Sequence, residues 1–213
     1  MVGPYFGAWL GSGGPFGGIQ TSNDRAPQFS QGLGILGTAG YAFLPNLGVG
    51  AFLRYNATER LVSDEVSEML DENSGSLWLY GLEARGLIGA GPLAAWASLG
   101  LALGSASLDL VNRDSNGSAT REYRDESTLE MNVMPVLGFG AEVEVVSGLS
   151  VGPQLRWYLT SADEVCTEES VRYDGGANGD GYKDKACSNV GNATIPDFVF
   201  VGVGATYRLD LGR

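Results

Sequence analysis

Residue alternation predicts an all-β chain, an eight-stranded antiparallel up-and-down transmembrane β-barrel. Three observations carry this prediction. Eight stretches alternate apolar residues with small or polar ones, the period of a strand. Their connections alternate between short and long, as an up-and-down barrel with two different ends requires. The faces opposite the apolar ones are rich in glycine and hold only scattered charges of both signs, which suits a narrow interior better than a solvated surface.

Taken in chain order, the first stretch, 4–12, sets Tyr5, Gly7 and Trp9 against Phe6, Ala8 and Leu10, and its facing is open. In 31–43 the apolar side is Leu33, Ile35, Ala39, Tyr41 and Phe43. From Leu47 it is Leu47, Val49, Ala51, Leu53 and Tyr55, with Gly48, Gly50, Phe52, Arg54 and Asn56 opposite. Near 76–89, Trp78, Tyr80, Leu82, Ala84 and Ile88 share a face, with Glu83 and Arg85 behind them. Near 93–105 the face is Ala95, Ala97, Leu99, Leu101 and Leu103. In 128–143, Leu129, Met131, Val133, Leu137, Phe139, Ala141 and Val143 form one side, with Glu130, Asn132 and Glu142 on the other. In 149–159, Leu149, Val151, Leu155, Trp157 and Leu159 oppose Gln154 and Arg156. The last stretch sets Val199, Val201, Val203, Ala205, Tyr207 and Leu209 against Phe200, Gly202, Gly204, Thr206 and Arg208. Turn formers fill the short connections near 44–46, 89–92 and 146–148, and polar residues fill the long ones at 13–30, 57–75, 106–127 and 160–196.

In lipid the apolar faces point outward. The charges Arg54, Glu83, Arg85, Glu130, Glu142, Arg156 and Arg208 then form a mutually paired network in the lumen. Tyr41, Phe43, Tyr55, Trp78, Tyr80, Trp157 and Tyr207 lie on the outward faces, as membrane-interface aromatics do. A helical alternative exists, because 86–108 is uncharged and long enough to span a bilayer. Six glycine or proline positions interrupt it, and the period of two runs through both halves.

Composition removes several functions. The 213 residues carry 25 acidic and 13 basic side chains, a formal charge of −12, so no nucleic-acid partner is expected. There is no histidine, which excludes an imidazole base or ligand. The 33 glycines lack the period of three of collagen. The opening Met1-Val2-Gly3-Pro4-Tyr5 shows no leader pattern, as in a mature chain given a new start Met or one that was never secreted. The only two cysteines, Cys166 and Cys187, bracket a polar Gly- and Asp-rich segment. A disulfide in an oxidising compartment is the reading preferred over two free thiols, and zinc would lack ligands.

The runs Tyr5-Phe6-Gly7-Ala8-Trp9-Leu10-Gly11, Pro135-Val136-Leu137-Gly138-Phe139-Gly140 and Val201-Gly202-Val203-Gly204-Ala205-Thr206-Tyr207-Arg208 give the chain a family resemblance. It resembles the small eight-stranded outer-membrane barrels of Gram-negative bacteria, the OmpA-like and OmpX-like class, over nearly its whole length. The resemblance implies one integral outer-membrane domain over 1–213, with short periplasmic turns and long extracellular loops. It implies outer-membrane lipid and lipopolysaccharide as surroundings. It departs from the class at the end, where the last aromatic, Tyr207, stands six residues before the terminus.

Lipid-modifying members of that class are led by histidine with serine or aspartate, so no enzyme and no cofactor are expected here. The leading expectation is a structural or surface-interaction protein, acting on an extracellular protein or surface ligand through its acidic loops. A narrow channel or carrier for small solutes is the alternative. In 57–75, Val62, Val66, Met69 and Leu70 recur at helical spacing and suggest a short rim helix. Asn178, Asp180 and Asp184 offer oxygen ligands of the kind calcium takes, without EF-hand spacing, and plain surface acid is the simpler reading.

Overall fold

The computed structural model describes residues 2–16, 31–58, 72–90, 92–116, 119–160, 162–174, 182–189 and 197–211. They form ten strands: β1 (Gly3–Phe16), β2 (Gly32–Leu44), β3 (Leu47–Thr58), β4 (Glu72–Ala90), β5 (Leu93–Asn116), β6 (Ala119–Val146), β7 (Leu149–Tyr158), β8 (Ala162–Asp174), β9 (Tyr182–Asn189) and β10 (Asp197–Arg208). All belong to one antiparallel sheet, ordered β5-β4-β3-β2-β1-β10-β7-β6-β8-β9, with β5 also paired to β6.

The expectation of eight strands is therefore corrected: the sheet has ten. The pairings run as a ring through β1, β2, β3, β4, β5, β6, β7 and β10, and β8 with β9 extends the sheet from β6. The two additional strands come from 160–196, which reads as a polar loop. Backbone hydrogen bonds pair a strand whatever the polarity of its side chains, so a segment without apolar alternation can still join a sheet. The expected 106–127 loop is corrected in the same way. Apart from residues 117 and 118, which lie outside the described residues, it continues β5 and β6 in pairing from Ala106↔Leu129 to Asn116↔Ala119.

The short connections are as tight as their turn formers suggest. The 147–148 turn uses Gly148 at φ 81°, where a side chain would be strained. Residues 86–108, the helical alternative, divide between β4 and β5 instead, and no helix among the described residues is long and apolar enough to cross a membrane.

Facing follows the alternation along most strands. Leu33, Ile35, Leu53, Leu82, Leu99 and Val203 are exposed outward, while Gly34, Leu36, Thr38, Phe52, Arg54 and Asn56 are buried inside. In β6 the phase slips. Leu129 and Met131 are buried with the interior set, whereas Val133, Phe139 and Val143 are exposed. Register shifts in the β5–β6 pairing at Ala102/Gly104 and in the β6–β8 pairing at Glu130/Met131 accompany the slip, since one extra residue moves every following side chain to the other face. The single-face assignment of 128–143 is corrected accordingly.

Candidate functional site

Two regions stand out, the interior and the sheet extension formed by β5, β6, β8 and β9. The interior has two storeys. Nearer the short turns it is ionic. Arg85 on β4 pairs with Glu142 on β6, and Arg208 on β10 pairs with the other oxygen of the same carboxylate. The Thr206 hydroxyl donates to Glu142 at 3.1 Å, and the Arg85 guanidinium lies 4.0 Å from the centre of the Trp96 ring. Arg156 on β7 donates to Glu83 on β4 at 2.9 Å, with both side chains fully buried.

Toward the long connections the interior becomes apolar. Trp9, Leu36, Leu77, Leu79, Met134, Val136, Phe198 and Phe200 belong to one buried cluster. Arg54 projects into this storey. Its Nε donates to Asn56 Oδ1 at 2.5 Å and its Nη2 to the Val199 carbonyl at 3.4 Å. Gly13 on β1 makes the room: a Cβ there would collide with the Arg54 guanidinium.

Arg54 and Arg156 meet across the ring. β3 and β7 are four pairings apart in either direction, and their side chains bridge that span crosswise. Arg54 of β3 stands 4.8 Å over the Tyr158 ring of β7, and Arg156 of β7 stands 5.0 Å from the Phe52 ring of β3. Phe52 and Tyr158 are themselves in edge contact at 6.2 Å. Each cation thus lies on the negative face of an aromatic from the opposite wall, a favourable desolvated arrangement.

Of the seven charges assigned to the lumen from sequence, six are brought together there. Glu130 is not. It is exposed, because it lies on the far side of the phase slip. The sequence reading also missed the aromatic half of the brace, Tyr158 and the cluster around it, whose signal is that Phe52, Tyr158 and Phe200 share the parity of the interior arginines. Tyr41, Phe43, Trp78, Tyr80, Trp157 and Tyr207 are exposed on the outward face. Tyr55 is half-buried, its ring packed at a tilt against Trp78 with centroids 4.6 Å apart. The Trp157 indole donates to Asp197 at 2.8 Å. A groove of about 930 Å³ crosses the outward face of β3–β6, lined by Val49, Tyr80, Leu82, Leu99, Leu101 and Val133 over the backbone at Gly50, Gly81 and Gly100.

The sheet extension carries the same ion chemistry in the open. β5 and β6 have 24 and 28 residues, far beyond the ~10 residues of a tilted strand across a bilayer. On this extension Arg113 bridges Glu72 of β4 at 3.1 Å and Glu122 of β6 at 3.0 Å. Arg124 grips both oxygens of Asp109, one of them at 2.8 Å. These hydrogen bonds hold the Arg113 and Arg124 guanidinium groups above the ordinary arginine value. Cys166 of β8 and Cys187 of β9 are register partners joined by a disulfide. The helical stripe Val62, Val66, Met69 and Leu70 and the calcium candidates Asn178 and Asp180 lie outside the described residues. Asp184 sits on β9 in register with Glu169, and no group of possible metal ligands occurs among the described residues.

No protein-family model matches the chain, and no curated protein sequence matches it. Solved structures do. The crystal structure of Neisserial surface protein A is 13% identical over 97% of each chain, with a TM-score of 0.55. A major outer membrane protein from Thermus thermophilus is 15% identical over 96% of this chain and 99% of its own, with a TM-score of 0.61. The chain shares the fold of these small outer-membrane β-barrel proteins.

Proposed function

We propose that the protein is an integral outer-membrane protein whose ring of strands is a plugged anchor and whose sheet extension is a surface-interaction platform. The observation that carries this reading is the cross-wall brace. Arg54, Phe52, Arg156 and Tyr158 bridge opposite strands, with an ionic storey on one side and an apolar cluster on the other. A filled interior argues against a channel or carrier for small solutes. The exposed apolar outward face suits contact with lipid and lipopolysaccharide, where a ring of paired strands leaves few backbone groups unsatisfied.

The interior contains no histidine, no metal-ligand cluster occurs among the described residues, and its two buried carboxylates are both engaged by arginines, so the reading is non-enzymatic. The long paired extension, tied by the Cys166–Cys187 disulfide, supports a role toward an extracellular protein or surface ligand. The fold neighbour titled a surface protein agrees with that role. The test replaces residues 162–189 with a short turn. Binding to cells or surface ligand is lost while heat-modifiable gel mobility, the mark of a folded ring, is retained. Full retention of binding would contradict the platform.

A further inference from the structure

The interior ions form two groups, each of two arginines and one glutamate among the described residues: Arg85 and Arg208 with Glu142, and Arg54 and Arg156 with Glu83. The first group meets its surplus charge at the mouth, where Arg208 is partly exposed and a small cavity of about 160 Å³ also borders Glu144. The second has no such outlet. Arg54 and Arg156 are fully buried, and Glu83 bonds Arg156. The acceptors of Arg54 are an amide oxygen and a backbone carbonyl, neither of them charged.

Besides Gln154 Nε2, whose amide oxygen accepts from Arg156, three donors around this surplus charge have no hydrogen-bond partner among the described residues: Arg54 Nη1, Arg156 Nη1 and the Tyr158 hydroxyl. Buried donors are almost always satisfied, and a buried charge without a counter-charge is strongly disfavoured. The three belong to one neighbourhood. Arg54 lies over the Tyr158 ring, and Arg156 and Tyr158 are adjacent inward positions of β7. A water molecule would satisfy the donors but leave the charge. An anion does both. The free oxygen of Glu83 is an acceptor and repels an anion, which puts the ion on the Arg54 side of Arg156.

We propose that the interior holds one resident monovalent anion of halide size, bound by Arg54 Nη1, Arg156 Nη1 and the Tyr158 hydroxyl. Chloride has the charge to balance the surplus arginine and the lack of directional demand that suits donors from three different side chains. The site is independent of the surface role: it completes the charge balance of the plug.

The experiment uses the full folded chain in detergent and crystals soaked in bromide. Anomalous scattering gives one bromide peak per chain within hydrogen-bond distance of Arg54 Nη1. Unfolding in potassium gluconate occurs about 5 °C below that in potassium chloride at equal ionic strength. Tyr158→Phe, which removes one donor and keeps the ring, shrinks that difference, and Arg54→Met abolishes it. Should Arg54→Met fail to fold, the wild-type peak and the Tyr158→Phe comparison still decide. Absence of a bromide peak between Arg54 and Tyr158, or a chloride effect equal in wild type and Tyr158→Phe, would overturn the site.

Discussion

Arg156–Glu83 inside the ring and Arg113–Glu122 on the sheet extension are nearly the same bond, at 2.9 Å and 3.0 Å. They differ in surroundings. The interior pair is 0% and 1% exposed, and the outer pair is 44% and 31% exposed. In the interior the attraction is strong because the dielectric is low, but each ion has lost its water, so the pair holds only while both members are present. Outside, water and salt supply much of what the partner supplies, and the pair is nearly dispensable. Distance alone therefore says little about which pair matters. Inside, removing one member of the pair leaves the other as a buried, unpaired charge. The outer pairs sit exposed on a strand extension whose backbone ladder runs through β5, β6, β8 and β9.

The effects of substitutions on the two sides differ in size. Glu83→Gln removes the carboxylate that pairs with Arg156 and costs about 3–5 kcal/mol of stability, read as a lower urea midpoint in detergent. A change below about 1 kcal/mol would mean that water reaches the interior pair. Next is removal of the disulfide. Cys166→Ser with Cys187→Ser releases a link of sequence separation 21, worth about 3 kcal/mol in the chain-entropy account. Hydrogen exchange should locate the loss in β8 and β9, with β1–β4 unchanged.

The outer ion pair is weaker. Glu122→Ala costs about 0.2–1 kcal/mol and less at high salt, measurable by the same urea titration at two ionic strengths. The smallest effect is that of pH on the outer arginines. Their raised values add stability that is present below the ordinary arginine range and is lost only as pH climbs through the still higher folded value. Exchange protection of the β5–β6 extension should therefore not change through deprotonation of Arg113 or Arg124 between about pH 6 and 9.

Much of this was legible in the residues. Alternation placed Arg54, Glu83, Arg85, Glu142, Arg156 and Arg208 each opposite the apolar face of its own strand, and the structure sets those six toward the interior. It failed where the physics is not carried by side-chain polarity. The extension of β5 and β6 and the β8–β9 hairpin are held by backbone pairing and a disulfide, so their charged residues read as loop. Glu130 was misplaced because alternation was carried straight through 128–143. The adjacent apolar pair Val133–Met134 was the available sign of a phase slip there. The aromatic brace was written in the sequence as well, but partnership between Arg54 and Tyr158 depends on β3 and β7 standing opposite each other, which only the pairing order reveals.

Single-channel recording of the full chain in planar bilayers reads directly whether the ring is plugged. The wild type gives no conductance steps, and steps appear when Phe52→Ala and Tyr158→Ala are combined to remove the aromatic half of the brace. Regular conductance steps from the wild-type chain would contradict the plug.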